Sequence, residues 1–127
     1  MAEDLDRLVQ MAAKTNQFNA TTRRRTREEF DLGKTYIFRA GDKYGEQGIV
    51  SYIIVDNAAP APRITDFVMS CRAMGRTLEH FAYNYVSERL GALPEVEFVP
   101  SSKNAPFAKF LDEIKNSKTL KTFFKEV

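Results

Sequence analysis

Between Ile64 and Leu90 the apolar residues change period, and the change writes a strand, a turn and a helix in succession. Ile64 to Ser70 alternates, with Thr65, Phe67 and Met69 on one face and Ile64, Asp66, Val68 and Ser70 on the other, as a strand requires. From Leu78 the apolar positions are instead Leu78, Phe81, Ala82, Tyr85, Val86 and Leu90, joined by the stem of Arg89, which is the spacing of a helix with one covered face. Glu79, Asn84 and Glu88 fall to solvent, Gly91 ends the helix, and Pro94 stands just beyond. Any fold for this chain must accommodate that unit.

The turn within it, Ser70-Cys71-Arg72-Ala73-Met74-Gly75-Arg76-Thr77, carries the unusual chemistry. A helix that starts here presents unpaired backbone N–H groups, and Gly75 permits close approach, while Arg72 and Arg76 add positive charge. Together these suit a phosphate. Ser70, Arg72, Met74, Gly75, Arg76 and Thr77 are therefore the candidate ligand-binding residues. Cys71, at a helix N-terminus beside arginine, is a candidate nucleophile for an acyl group, set against the plainer role of a small buried apolar side chain. His80, one turn past Arg76, is a candidate base, set against an ordinary boundary position on a helix. Asp66 and Glu79 could orient a partner or simply serve the structure.

Upstream, Leu5, Leu8, Val9 and Ala12 predict a short amphipathic helix behind Asp4 that ends near Lys14. Thr15 to Thr22 is polar and reads as a loop. Thr26 and Glu29 have capping-box spacing, so a short helix is expected to start there and stop before Gly33. Lys34–Arg39 and Ile49–Val55 read as strands around a Gly-rich loop, Gly41 to Gly48, and the second, apolar on both faces except at Ser51, as a central strand. Asn57 to Pro62 is a linker. Downstream, Glu95–Val99 is expected as a strand, Pro100 to Asn104 as a loop, Phe107, Phe110, Leu111 and Ile114 as a helix behind Pro106, and Thr119–Lys125 as a closing strand.

Composition narrows the function classes. The 127 residues, 43% of them hydrophobic, suit one domain with one core over residues 1–127. No run of eighteen apolar residues and no basic-then-apolar leader is present, so a membrane span and export are not expected and the cytoplasm is the expected location. One cysteine rules out an internal disulfide and, with one histidine, leaves too few ligands for a Cys-based zinc site, so no metal is expected. The net charge of +2 is small, and the Arg23–Arg27 cluster lacks interleaved aromatics and is offset by Glu28 and Glu29, which argues against nucleic acid.

Three strings, taken in order, carry a family resemblance: Lys14-Thr15-Asn16-Gln17-Phe18-Asn19 with Thr21-Thr22-Arg23-Arg24, then Asp66 to Arg76, then Lys103-Asn104-Ala105-Pro106. They resemble the C-terminal domain of FkbH-like proteins over nearly the whole chain. The resemblance implies an α/β, mixed α+β fold of the acetyltransferase-like (GNAT) type, a central mixed sheet flanked by helices. It makes residues 1–14 the connector from a preceding domain in full-length relatives, and a phosphatase-like domain of the haloacid dehalogenase superfamily, in cis or in trans, a partner. It also implies that the strand at Thr65–Ser70 meets a pantetheine arm in a splayed gap beside the next strand. Asn16, Gln17, Asn19, Asp66, Glu79, Lys103 and Asn104 are motif residues on the same basis.

The implied activity is acyl or glyceryl transfer, with no tightly bound cofactor and with the phosphopantetheine arm of an acyl carrier protein, or coenzyme A, as substrate. Thr77 stands where the coenzyme A signature has a second small residue, which favours a carrier-borne arm with a single phosphodiester over a diphosphate. Leu111 stands where the resembled pattern has tyrosine, so a phenol to protonate a leaving thiolate is missing. Lys115-Asn116-Ser117 replaces a closing Gly-Phe. Two readings follow: an acyltransferase, or domain of one, that binds a pantetheine-linked acyl group; or a non-catalytic docking module in which Arg23, Arg24, Arg25 and Arg63 meet an acidic acyl carrier protein.

Overall fold

The computed structural model describes residues 2–42, 45–56, 62–70, 73, 78–91 and 93–115. Among these, a four-stranded mixed sheet carries three helices in the order α1 (Ala2–Lys14), β1 (Thr35–Asp42), β2 (Gly45–Asp56), β3 (Arg63–Met69), α2 (Leu78–Leu90), β4 (Glu95–Val96) and α3 (Ala105–Lys115). The strands lie in sequence order across the sheet. The first three form an antiparallel meander, and β4 returns parallel to β3 after the α2 crossover. The closing strand expected at Thr119–Lys125 and most of the linker lie outside the described residues.

Two bulges in β2 and one in β3 set which side chains face which layer. In the β1–β2 pair, Phe38 faces Ser51 and Arg39 faces Ile49, so Val50 is an extra residue. That places Ile49 with Tyr52 and Ile54 on the α1 side and Val50 with Ile53 on the other. In the β2–β3 pair, Ile54 faces Asp66 and Val55 faces Ile64, so Thr65 is the extra residue. Strict alternation grouped Ile64 with Asp66. The bulge instead turns Ile64 to join Phe67 and Met69 in the α2–α3 core, leaving Asp66 and Val68 toward α1.

Other expectations change in detail. The long Gly41–Gly48 loop is mostly strand, because pairing continues to Asp42 and Gly45, with Gly48 taking a φ of 78° beside a register shift. The helix expected behind Thr26 is two 3₁₀ turns, Arg27–Glu29 and Leu32–Lys34, although the Glu29 carboxylate does accept from the Thr26 N–H and hydroxyl at 2.9 Å. Along α2 the buried stripe is Glu79, Ala82, Tyr83, Val86 and Ser87, while Phe81 is 45% exposed. Hydropathy misplaced that face because two polar residues share the inward stripe. Ser87 returns its hydroxyl to the Tyr83 carbonyl at 2.8 Å, and the Tyr83 hydroxyl donates to the Pro94 carbonyl at 3.2 Å.

Candidate functional site: the parting of two strands

β3 and β4 pair only at Arg63–Glu95 and Ile64–Val96 and then separate. The space between them is taken by the chain itself. Ala20 donates its N–H to the Phe67 carbonyl at 3.1 Å and Phe18 accepts from the Met69 N–H at 3.0 Å, while on the other side the Ala20 carbonyl accepts from Val99 at 2.8 Å. Phe18–Ala20 therefore acts as a one-bridge strap across the gap, with Asn19 opposite Val68. This explains why β4 ends at Val96, short of the expected Val99, and it corrects one expectation of the resemblance. The carbonyl of Phe67 and the N–H of Met69 are engaged by the strap and are not open to a pantetheine arm.

The strap is held by its aromatic anchor and by two asparagines. Phe18 is 1% exposed and meets Phe67, Phe107 and Phe110 with ring centroids 5.3, 4.8 and 5.2 Å away. Asn19 donates its side-chain amide to the Thr15 carbonyl at 3.1 Å and accepts from the Thr22 N–H at 2.9 Å. Thr22 needs that support, because its φ of 53° is a left-handed conformation that β-branched residues rarely adopt. Asn104, just ahead of α3, donates to the carbonyls of Asn19 at 3.1 Å and Val99 at 3.0 Å and accepts from the Ser101 N–H at 2.8 Å. One buried amide thus ties strap, loop and helix start together.

Asp66, 2% exposed, is the charged counterpart on the α1 side of the same strand. Arg25 grips it with Nε at 2.6 Å and Nη2 at 2.7 Å, and Arg23 adds a longer contact at 3.4 Å. The hydrogen bonds that Arg25 donates to Asp66 hold its guanidinium above even its ordinary high pKa, against the opposing cost of burial. Arg23 also bonds Glu97 at 3.0 Å, Arg63 pairs with Glu95 at 3.0 Å, and Arg24 closes the end of α1 through the carbonyls of Ala12 and Thr15 and the side chain of Asn16. All four arginines of the docking reading are thus engaged inside the chain. Gln17 and Lys103 are exposed, and Lys103 donates its backbone N–H to Ser101 Oγ at 3.2 Å.

At the end of β3, Ser70 donates its N–H to the Val50 carbonyl at 2.7 Å, and its own carbonyl accepts from Ala73, whose side chain is buried in the core. The candidate residues Cys71, Arg72, Met74, Gly75, Arg76 and Thr77 lie outside the described residues. His80, in the first turn of α2, places Nε2 2.8 Å from Glu113 Oε2 on α3, with Nδ1 4.0 Å from Glu79 Oε1 and the ring edge-on to Phe110 at 5.1 Å. Glu113 was missed from the sequence because its only signal, a carboxylate on the exposed flank of an amphipathic helix, is one that most such helices share. Among the described residues no group of three or more His, Cys, Asp or Glu side chains stands together as metal ligands would.

Tyr52, fully buried, lies on the Asp66 face of the sheet with its ring edge-on to Phe30 at 5.3 Å, and among the described residues its hydroxyl has no hydrogen-bond partner. Burial, reinforced by the Asp66 charge and opposed by Arg25 and Arg24, raises its pKa above the ordinary phenol value. A raised folded-state value means stability is complete below the unfolded value, about pH 10, and is lost as the pH climbs toward the folded value. Melting temperature should therefore fall above about pH 10, with the buried Tyr83 shifted in the same sense. Tyr52→Phe should flatten that fall and cost nothing at pH 7, since it removes a hydroxyl whose desolvation is worth about 1–3 kcal/mol. A thermal-melt series from pH 7 to 11 on both proteins checks it, and a Tyr52→Phe variant markedly destabilised at pH 7 would overturn it.

Compared with family models, curated proteins and solved structures, the chain gives no match.

Proposed function

We propose that this domain holds a pantetheine-linked acyl group, borne by an acyl carrier protein, in acyl or glyceryl transfer of the FkbH-like kind, on an acetyltransferase-like fold. One observation carries the reading. The three stretches that carry the resemblance, far apart in sequence, meet around the second half of β3, with Asn19 bridged to Val68 and Asn104 bonded to Asn19. That half-strand leads directly to Ser70, where the candidate ligand-binding residues begin. The meeting point also lies beside a parallel β3–α2–β4 crossover in which the two strands part, the kind of place where open α/β sheets receive ligands.

Because the strap occupies the edge of β3, the arm enters over the turn and does not run as an added strand along Phe67 and Met69. Arg72, Gly75 and Arg76 would hold the single phosphodiester, with Ser70 fixing the start of the turn. An extended pantetheine arm keeps its phosphate and its thioester apart by two amide units. An arm that lays its phosphate on Arg72 therefore carries its thioester away from the neighbouring Cys71. His80, tied to Glu113, belongs with the phosphate end and braces α2 against α3 there.

Phosphopantetheine should raise the melting temperature by mass action, by an amount that grows with its concentration, and Arg72→Ala or Gly75→Val should each remove most of the shift. Cys71→Ser should leave the shift in place. No shift in the native protein would sink the reading, whereas loss of the shift in Cys71→Ser alone would move the thiol end of the arm, not the phosphate, to Cys71. The docking alternative has less support, since its arginines are committed to Asp66, Glu97, Glu95 and the end of α1.

A further inference from the structure

We propose that the outer edge of β4 docks an extended segment of a partner protein, one in which apolar and basic residues alternate, and that this segment joins the sheet as an added strand. Along residues 95–99 every second N–H turns inward, from Glu95 to the Pro62 carbonyl, from Glu97 to that of Ile64 and from Val99 to that of Ala20. Strand alternation therefore turns the N–H groups of Val96 and Phe98 outward, at what is the edge of the sheet among the described residues. Beside that edge lies a groove of about 480 Å³, walled by Val96 and Phe98, by Tyr83 of α2 and by Leu111 and Ile114 of α3. Outward backbone donors above an apolar floor are what strand addition needs.

The occupant follows from the two rows of side chains. Val96 and Phe98 line the groove, so residues of an incoming strand that stand opposite them must be apolar to fill it. The other row reads Leu93, Glu95, Glu97 and Val99, with the two apolar members 62% and 48% exposed at its ends. Glu95 is 73% exposed, and its surface ion pair with Arg63 is of a kind that holds little, so its carboxylate can take a further cation. A second copy of this chain fails on that row. Antiparallel pairing of Val96 with a second copy's Phe98 sets Glu97 against Glu97, pairing of Val96 with Val96 sets Glu95 against Glu97, and like charges directly opposite destabilise a sheet. Lysine or arginine opposite the same two carboxylates makes the row attractive.

The test uses the full chain and two end-blocked synthetic peptides, one alternating valine with lysine and the other valine with glutamate. At saturation the lysine peptide should slow exchange of the Val96 and Phe98 amides by at least about tenfold. The glutamate peptide should bind about tenfold more weakly or worse, since two cross-strand charge pairs change sign. Val96→Pro removes an outward donor and no inward hydrogen bond, and should abolish binding of both peptides. Glu95→Lys, at an exposed position, should narrow or reverse the preference for lysine. Equal binding of the two peptides, or no slowing with either, would overturn the proposal. So would Val96 and Phe98 amides already slow in the protein alone, whether at every concentration or only at high ones, since the edge would then be filled from within the chain or by a second copy.

Discussion

Phe18→Ala should cost about 3–5 kcal/mol, the usual loss for deleting a buried aromatic ring, and lower the melting temperature by on the order of 10–20 °C. The size follows from where the ring sits. It is 1% exposed, touches three other phenylalanines at once, and anchors a stretch whose backbone fills the space between β3 and β4. Without it the gap loses its filler as well as a ring, and the amides of Ala20 and Met69 should exchange faster than those of β2. Gln17→Ala, next in the chain but exposed, should stay within about 0.5 kcal/mol of the native protein. Urea denaturation of the two variants checks the contrast, and a Phe18→Ala loss below about 1 kcal/mol would show that the strap is no part of the core.

What the sequence made legible divides along local and non-local physics. The strand that starts near Ile64 and the helix that ends at Leu90 were readable because periodicity and the Gly91 stop are local signals, and the Gly91 φ of 73° fits that stop. The bulges at Val50 and Thr65 were not, since an extra residue in a strand is defined only by its partner. Asn19 and Asn104 could be singled out through a resemblance, yet their work of bonding one another's segments spans 85 positions and has no local signature. The Arg23–Arg25 run looked like a surface footprint because charge runs usually are. Only the fold shows that a carboxylate more than forty residues away faces it.

The arginine run therefore sets the second large effect. Asp66→Ala should cost about 3–5 kcal/mol, because it leaves the Arg25 guanidinium, whose side chain is only 19% exposed, without the carboxylate that grips it twice. Asp66→Asn should be nearly as damaging, as an amide keeps one acceptor but loses the charge. Arg23→Ala should cost much less, since that side chain is 37% exposed and its contact to Asp66 is the longer one at 3.4 Å. Replacing the pair together, Asp66→Leu with Arg25→Met, should recover much of the loss, because the penalty lies in stranding one buried charge and not in lacking the bridge. Chemical denaturation of these variants separates the two uses of the arginines. If Arg25 served mainly to attract an acidic carrier protein, Arg25→Ala would weaken association and leave the melting temperature unchanged. The geometry at Asp66 demands the opposite order, with stability falling first and any effect on association following from it.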